Sequence, residues 1–163
     1  MNKLAILFAL LLCAPAWGSG SVFQKTFDAP LAATYQHVYE QLEARRFFVV
    51  FEPNIGKNLA GFSQRWGDDY NRSDLTGIRS MVFCNAWYAN AVGNADPAML
   101  ALCPMHVTLF EKDDRTTVLF ARPTVIAADS PAAKVAAEIE SQVIEALEQA
   151  MPVPATTGTG RPE

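Results

Sequence analysis

Hydrophobic and polar positions change rhythm several times along this chain. The first rhythm is a block: Lys3 is followed by an unbroken apolar run over residues 4–13 and then by Ala14, Pro15, Ala16, Trp17 and Gly18. A short positive start, an apolar stretch and small residues for a peptidase are the layout of a secretory signal. A spanning helix takes about 20 apolar residues, and Pro15 and Gly18 end this run well before that. Residues 1–18 are therefore expected to be a signal peptide, cleaved after Ala16 or Gly18, leaving a periplasmic or secreted protein with no membrane attachment. Leu12 is bulky where a lipoprotein signal takes a small residue, which argues against acylation of Cys13.

A helical period follows. Leu31, Thr34, Tyr35, Val38 and Leu42 fall on one face of a helix over residues 31–45, with His37 and Tyr39 at its flanks. Residues 46–52 are apolar at both parities, as in a strand covered on both faces, so they are expected in the sheet interior or at a subunit contact. Pro53, Asn54 and Gly56 supply turn chemistry, and Asn58 is placed as the N-cap of a short helix carrying Leu59, Phe62 and Trp66 and ended by Gly67. Residues 68–76 have no period and form a loop before a strand over 78–84. Asn85 caps a short helix that stops at Gly93, Asp96-Pro97 opens another turn, and Pro104 marks a boundary.

Residues 105–111 and 116–121 alternate like two strands of a hairpin around the polar turn Lys112-Asp113-Asp114-Arg115. Ser130-Pro131 opens the last helix, where Val135, Ile139, Val143, Ala146 and Leu147 face away from Lys134, Glu138, Glu145 and Glu148. The order predicts a two-layer α+β domain over residues 19–151, a mainly antiparallel sheet with helices packed on one face. Residues 152–163, rich in Pro, Thr and Gly, are expected to be a disordered tail. Apolar residues on the uncovered face, with Phe47, Phe48 and the Val118-Leu119-Phe120 run as grounds, favour a homodimer.

Composition narrows the partners. With 50% hydrophobic and 18% charged residues, 163 residues make one domain with a true core rather than a disordered or multi-pass membrane chain. The net charge of −4 is the wrong sign for nucleic acid or anionic lipid, and losing Lys3 with the signal takes it to −5.

The segments Arg79-Ser-Met-Val-Phe-Cys-Asn-Ala-Trp-Tyr-Ala-Asn90, Asn94-Ala-Asp-Pro-Ala-Met-Leu-Ala-Leu-Cys-Pro104 and Val107-Thr-Leu-Phe-Glu-Lys-Asp113 resemble the bacterial family called domain of unknown function 302. Its pattern is a strand ending in Cys-Asn-Pro, a helix, a Pro-Cys step and a strand-turn-strand hairpin, and the resemblance runs over residues 27–151. Two positions depart: Ala86 replaces the proline after Cys-Asn, and Cys103-Pro104 inverts the Pro-Cys step, putting Met105 in the cysteine's place. The resemblance implies a compact α+β fold similar to the TATA-binding-protein-like class, often dimeric, sometimes exported, with no established activity.

Three clusters offer chemistry. Cys84 and Cys103, the cysteines left after signal removal, form a disulfide, stay as buried thiols, or join His106 as soft-metal ligands through the Cys103-x-x-His106 spacing. Met105 would add a copper-like thioether, but neighbouring strand residues point to opposite faces. Asn85, Trp87, Tyr88, Asn90 and Asn94, with Arg122 at a strand end, gather amides, aromatics and a cation for a small ligand; helix capping and core filling explain the same residues. Arg65, Arg72, Arg79 and Arg122, with Trp66, Asp68, Asp69 and Tyr70, either clamp an anion or form surface ion pairs. No P-loop, nucleophile elbow, zincin or haem-attachment motif is present, so no catalytic residue is assigned and the cofactor is unknown. The leading expectation is an exported, non-enzymatic small-ligand-binding or accessory domain; the alternative is a periplasmic redox or soft-metal protein using Cys84, Cys103 and His106.

Overall fold

The structure is a computed structural model that describes residues 20–150, so the expected signal peptide and tail lie outside the described residues. Its frame is a five-stranded antiparallel sheet of order β1-β5-β4-β3-β2. The strands are β1 (Val22–Phe27), β2 (Phe48–Phe51), β3 (Gly77–Cys84), β4 (Met105–Lys112) and β5 (Arg115–Ala121). Two long helices, α1 (Leu31–Ala44) and α6 (Ala133–Gln149), cover one face. Between them run α2 (Ile55–Ala60), α3 (Ser63–Trp66), α4 (Ala86–Ala95), α5 (Pro123–Ile126) and two 3-10 turns, Gly67–Asp69 and Pro97–Leu102. This is the α+β architecture expected, and among the described residues no helix is long and apolar enough to cross a membrane.

The β4–β5 hairpin turns at Asp113 (φ 52°) and Asp114 (φ 58°), which pair Lys112 with Arg115. Two left-handed residues in a two-residue loop match the strand twist, and aspartate tolerates that backbone. Alternation then sends Met81, Phe83, Val107, Leu109, Val118 and Phe120 to the helical side, where they are buried against the stripes of α1 and α6. Glu111 ties the hairpin to α1, its carboxylate accepting Leu31 N–H at 2.5 Å and Thr76 Oγ1 at 2.9 Å.

Four expectations are corrected. Strand β1 was not anticipated: Phe23 and Phe27 alternate inward, but Lys25 shares their parity and breaks the apolar pattern, so the segment becomes a strand by pairing with β5. Segment 46–52 is not an interior strand. Its strand β2 holds the sheet edge, with Phe48, Val50 and Phe51 at 54%, 65% and 63% exposure, and only Phe47 is fully buried, edge-on to Phe83 at 5.9 Å. A period cannot tell a strand covered on both faces from an apolar edge, because strand neighbours are chosen over long range. The helix near residue 58 starts earlier, since Asn54, not Asn58, accepts Lys57 N–H at 2.9 Å, and its apolar residues Leu59, Phe62 and Trp66 stay outside the core. Of the residues offered as grounds for a dimer, Phe47, Val118 and Phe120 are spent on the protein's own core.

Candidate functional site

The sheet has two chemically distinct ends. At one end β3 finishes in Cys84 and β4 begins after Cys103, and the register that sets Phe83 opposite Met105 brings the two thiols to 2.8 Å between sulfurs. Both are half-buried. Burial, and then the neighbouring Cys84 sulfur, push the Cys103 thiol up to about 11. His106, on β4, is exposed, and Met105 on the opposite parity is buried. Among the described residues no group of three or more His, Cys, Asp or Glu is placed to hold a metal, so the expected set of Cys84, Cys103 and His106 is not assembled.

Beside the thiols, the cluster around α4 performs structural tasks. Asn85 Oδ1 accepts Trp87 N–H at 3.0 Å and Tyr88 N–H at 3.2 Å, satisfying two donors at the helix start. Tyr88 stacks on Phe47 at 5.8 Å, and burial followed by the charge of Glu138 raises its hydroxyl pKa. Trp87, Asn90 and Asn94 are exposed. The space left between Asn85, Tyr88, Val92, Cys103 and Ile139 is about 10 Å³, scarcely enough for one water. Of the residues expected to line a pocket here, Asn85 and Tyr88 border this space, and Met105, Pro123 and Ile139 close it.

Arg122 is likewise engaged. Its Nη1 donates to Glu140 Oε1 at 2.8 Å, while Glu140 Oε2 accepts Thr124 N–H at 3.1 Å and Thr124 Oγ1 at 2.5 Å. Glu140 is 7% exposed, so this carboxylate fastens the end of β5 and the start of α5 to α6. Arg122 Nε is buried with no partner.

A cleft of about 130 Å³ borders Pro104, Met105 and His106 at this end, and more room for a ligand lies at the other end of the sheet. A cavity of about 580 Å³ opens between the start of α1, helices α2 and α3, the loop 69–76 and the first residues of β3. Leu31, Leu59, Trp66 and Ile78 give it apolar walls, Lys57 and Arg79 line it as cations and Asp69 as an anion, and the carboxylates of Glu52 and Glu111 stand behind Arg79 and Thr76. Gly56 lets α2 approach, since a Cβ there would stand 3.0 Å from the Ile78 backbone nitrogen. Loop 69–76 is pinned rather than loose: Asn71 bonds both backbone groups of Leu75 at 3.0 Å, and Lys112 Nζ donates to the Ser73 carbonyl at 2.9 Å.

Arg79 is the best-oriented cation there. Its guanidinium lies over the Tyr35 ring, 3.5 Å from the centroid, with Glu52 Oε2 at 3.8 Å. Tyr35 donates to that carboxylate at 2.7 Å, with the Ser80 carbonyl at 3.2 Å from its hydroxyl oxygen. Burial, and then the bond to Glu52, raise the Tyr35 pKa well above its ordinary 10.0. Of the residues read as an anion clamp, the structure gathers Arg79, Trp66, Asp69 and Tyr70 around one cavity. Arg72 instead faces Asp69 as an exposed pair at 3.7 Å, and Arg65 and Asp68 are exposed outside the lining. Lys57 and Leu31 were missed; the Asn54 cap, correctly placed, would have put Lys57 in the first turn of a helix beside the loop.

The family model described as Domain of unknown function DUF302 matches residues 23–150. The chain belongs to this family. The match begins within β1, the strand that periodicity overlooked. The DUF302 fold is also that of the uncharacterized conserved protein DUF302 from Bacillus stearothermophilus, whose crystal structure is similar to this chain with a TM-score of 0.68 at 20% identity, covering 80% of this chain and 98% of that one. No curated protein matches this DUF302 chain. Within the DUF302 frame, Ala86 and the inverted Cys103-Pro104 step fall at the thiol end, away from the cavity.

Proposed function

We propose that this DUF302 domain is exported and binds a small organic anion with an apolar body in the cavity at the start of β3. The observation that carries the reading is the position of Arg79: its guanidinium is oriented by the Tyr35 ring, yet its carboxylate neighbour stands at 3.8 Å, beyond a hydrogen bond. A carboxylate entering the cavity would meet donors already held in place, with Lys57 on the α2 side and Trp66 and Ile78 against its apolar part. The volume of about 580 Å³ suits a small molecule and not a peptide chain. Export is supported by the positive, apolar and small-residue order of residues 1–18.

The test is fluorescence titration with anilinonaphthalene sulfonate, an apolar anion, beside an uncharged naphthalene of similar size. Losing one charge-assisted hydrogen bond costs about 1.5–3 kcal/mol, so Arg79→Gln should weaken the anion about tenfold or more and leave the neutral probe unaffected. Lys57→Gln, on an exposed side chain, should weaken it by a smaller factor. Wild-type affinity for the anion in both variants would sink the proposal.

A further inference from the structure

A second site stands at the opposite end of the sheet and does not depend on the cavity. We propose that Cys84 and Cys103 are a reversible dithiol/disulfide couple that closes the segment 85–102 onto the sheet. Four observations meet there. The sulfurs are adjacent, 2.8 Å apart, with no atom between them and the bond they would form. The β3–β4 register, fixed over seven residue pairs from Gly77↔Glu111 to Phe83↔Met105, holds the two residues at adjoining strand ends, so no backbone search precedes bond formation. Both are partly exposed, which lets another sulfur reach them. Among the described residues no His, Asp, Glu or further Cys joins them as a third metal ligand.

The oxidant is a disulfide of another molecule, and the exchange balances. One of the two thiols loses its proton, its thiolate attacks one sulfur of that disulfide, and the other sulfur leaves as a thiolate. The second cysteine then gives up its proton and attacks the protein sulfur of the mixed disulfide, expelling the second thiolate. Two thiols are oxidised, one disulfide is reduced and two protons are released.

The bond would enclose α4 and the 3-10 turn Pro97–Leu102. Helix α4 docks through Tyr88 on Phe47 and carries the exposed Trp87, so oxidation state sets how firmly that surface is held. Redox state is thereby coupled to one face of the protein while the cavity end is untouched.

The experiment incubates the reduced protein, full length after signal removal, with a series of oxidised and reduced glutathione mixtures, followed by acid quench, alkylation and intact mass measurement. The expected product is a monomeric chain lacking two hydrogens and refusing alkylation, reversed as reduced glutathione rises. Cys103→Ser should stop at a glutathione adduct on Cys84, and Cys84→Ser at one on Cys103, neither losing two hydrogens. Two freely alkylated thiols in excess oxidised glutathione, or only adducts and intermolecular dimers, would overturn the couple. Because the readout is thiol content, its failure leaves the anion titration untouched.

Discussion

Removal of the Glu140 carboxylate separates a structural Arg122 from one kept for a ligand. Glu140→Ala strips three hydrogen bonds at once: Arg122 Nη1 at 2.8 Å, Thr124 N–H at 3.1 Å and Thr124 Oγ1 at 2.5 Å. Breaking a buried ion pair by deleting one partner costs about 3–5 kcal/mol, chiefly because the other charge is left without a counterion. Arg122 keeps 29% of its side chain exposed, and its guanidinium can recover some hydration. That lowers the charge contribution to about 2 kcal/mol. The orphaned Thr124 N–H adds about 1 kcal/mol, while the hydroxyl can turn to another acceptor. The expected loss is therefore about 3 kcal/mol, read in urea unfolding at pH 7 as a midpoint lowered by about 1–2 M at an unchanged slope.

The paired replacement Arg122→Met/Glu140→Leu removes both charges and the partnerless Nε together, so it should recover most of that loss. Either of two results would refute the reasoning: a Glu140→Ala protein within about 1 kcal/mol of wild type, or a double variant less stable than Glu140→Ala alone. Both would mean that the pair contributes little to the fold and that Arg122 serves something else.

Tyr35 predicts an alkaline signature. Its folded-state pKa is raised, so the folded protein holds this proton while the unfolded chain loses it. The resulting stability is present below the ordinary value of 10.0 and is lost as pH rises beyond it. Tyr35→Phe should fall less steeply than wild type between pH 9 and 11 in chemical denaturation, at a cost of about 1–2 kcal/mol at pH 7 for the lost bonds to Glu52 and Ser80; parallel slopes would refute the assignment. The homodimer is proposed through the free edge of β2, where Phe48, Val50 and Phe51 are 54%, 65% and 63% exposed. Phe48→Glu/Phe51→Glu should convert a sedimenting dimer to a monomer with unchanged circular dichroism, and a monomeric wild type would remove the proposal.

Short-range chemistry made much of this fold legible from the chain alone. The stripe of Tyr35, Val38 and Leu42, the Asn85 cap and the hairpin around Asp113 and Asp114 each concern residues within a turn or two of one another. The family was legible as well, because its motif runs in order along consecutive elements. Neither site was settled that way. Amides and aromatics near Asn85 pointed to a pocket, but whether side chains line a space or fill it depends on what packs against them, here Met105, Pro123 and Ile139. Arg122 looked free because Glu140 is 18 residues away.

The sequence by itself determined the apolar stripes of α1 and α6, the capped start of α4 and the hairpin, since periodicity, caps and left-handed turn residues act over a few bonds. Tertiary structure alone decided that β2 takes an edge and β1 joins β5, that Cys84 meets Cys103, and that Leu31, Lys57, Trp66 and Arg79 surround one cavity. Those outcomes are set by which distant surfaces gain most from covering one another, and no local pattern carries that comparison.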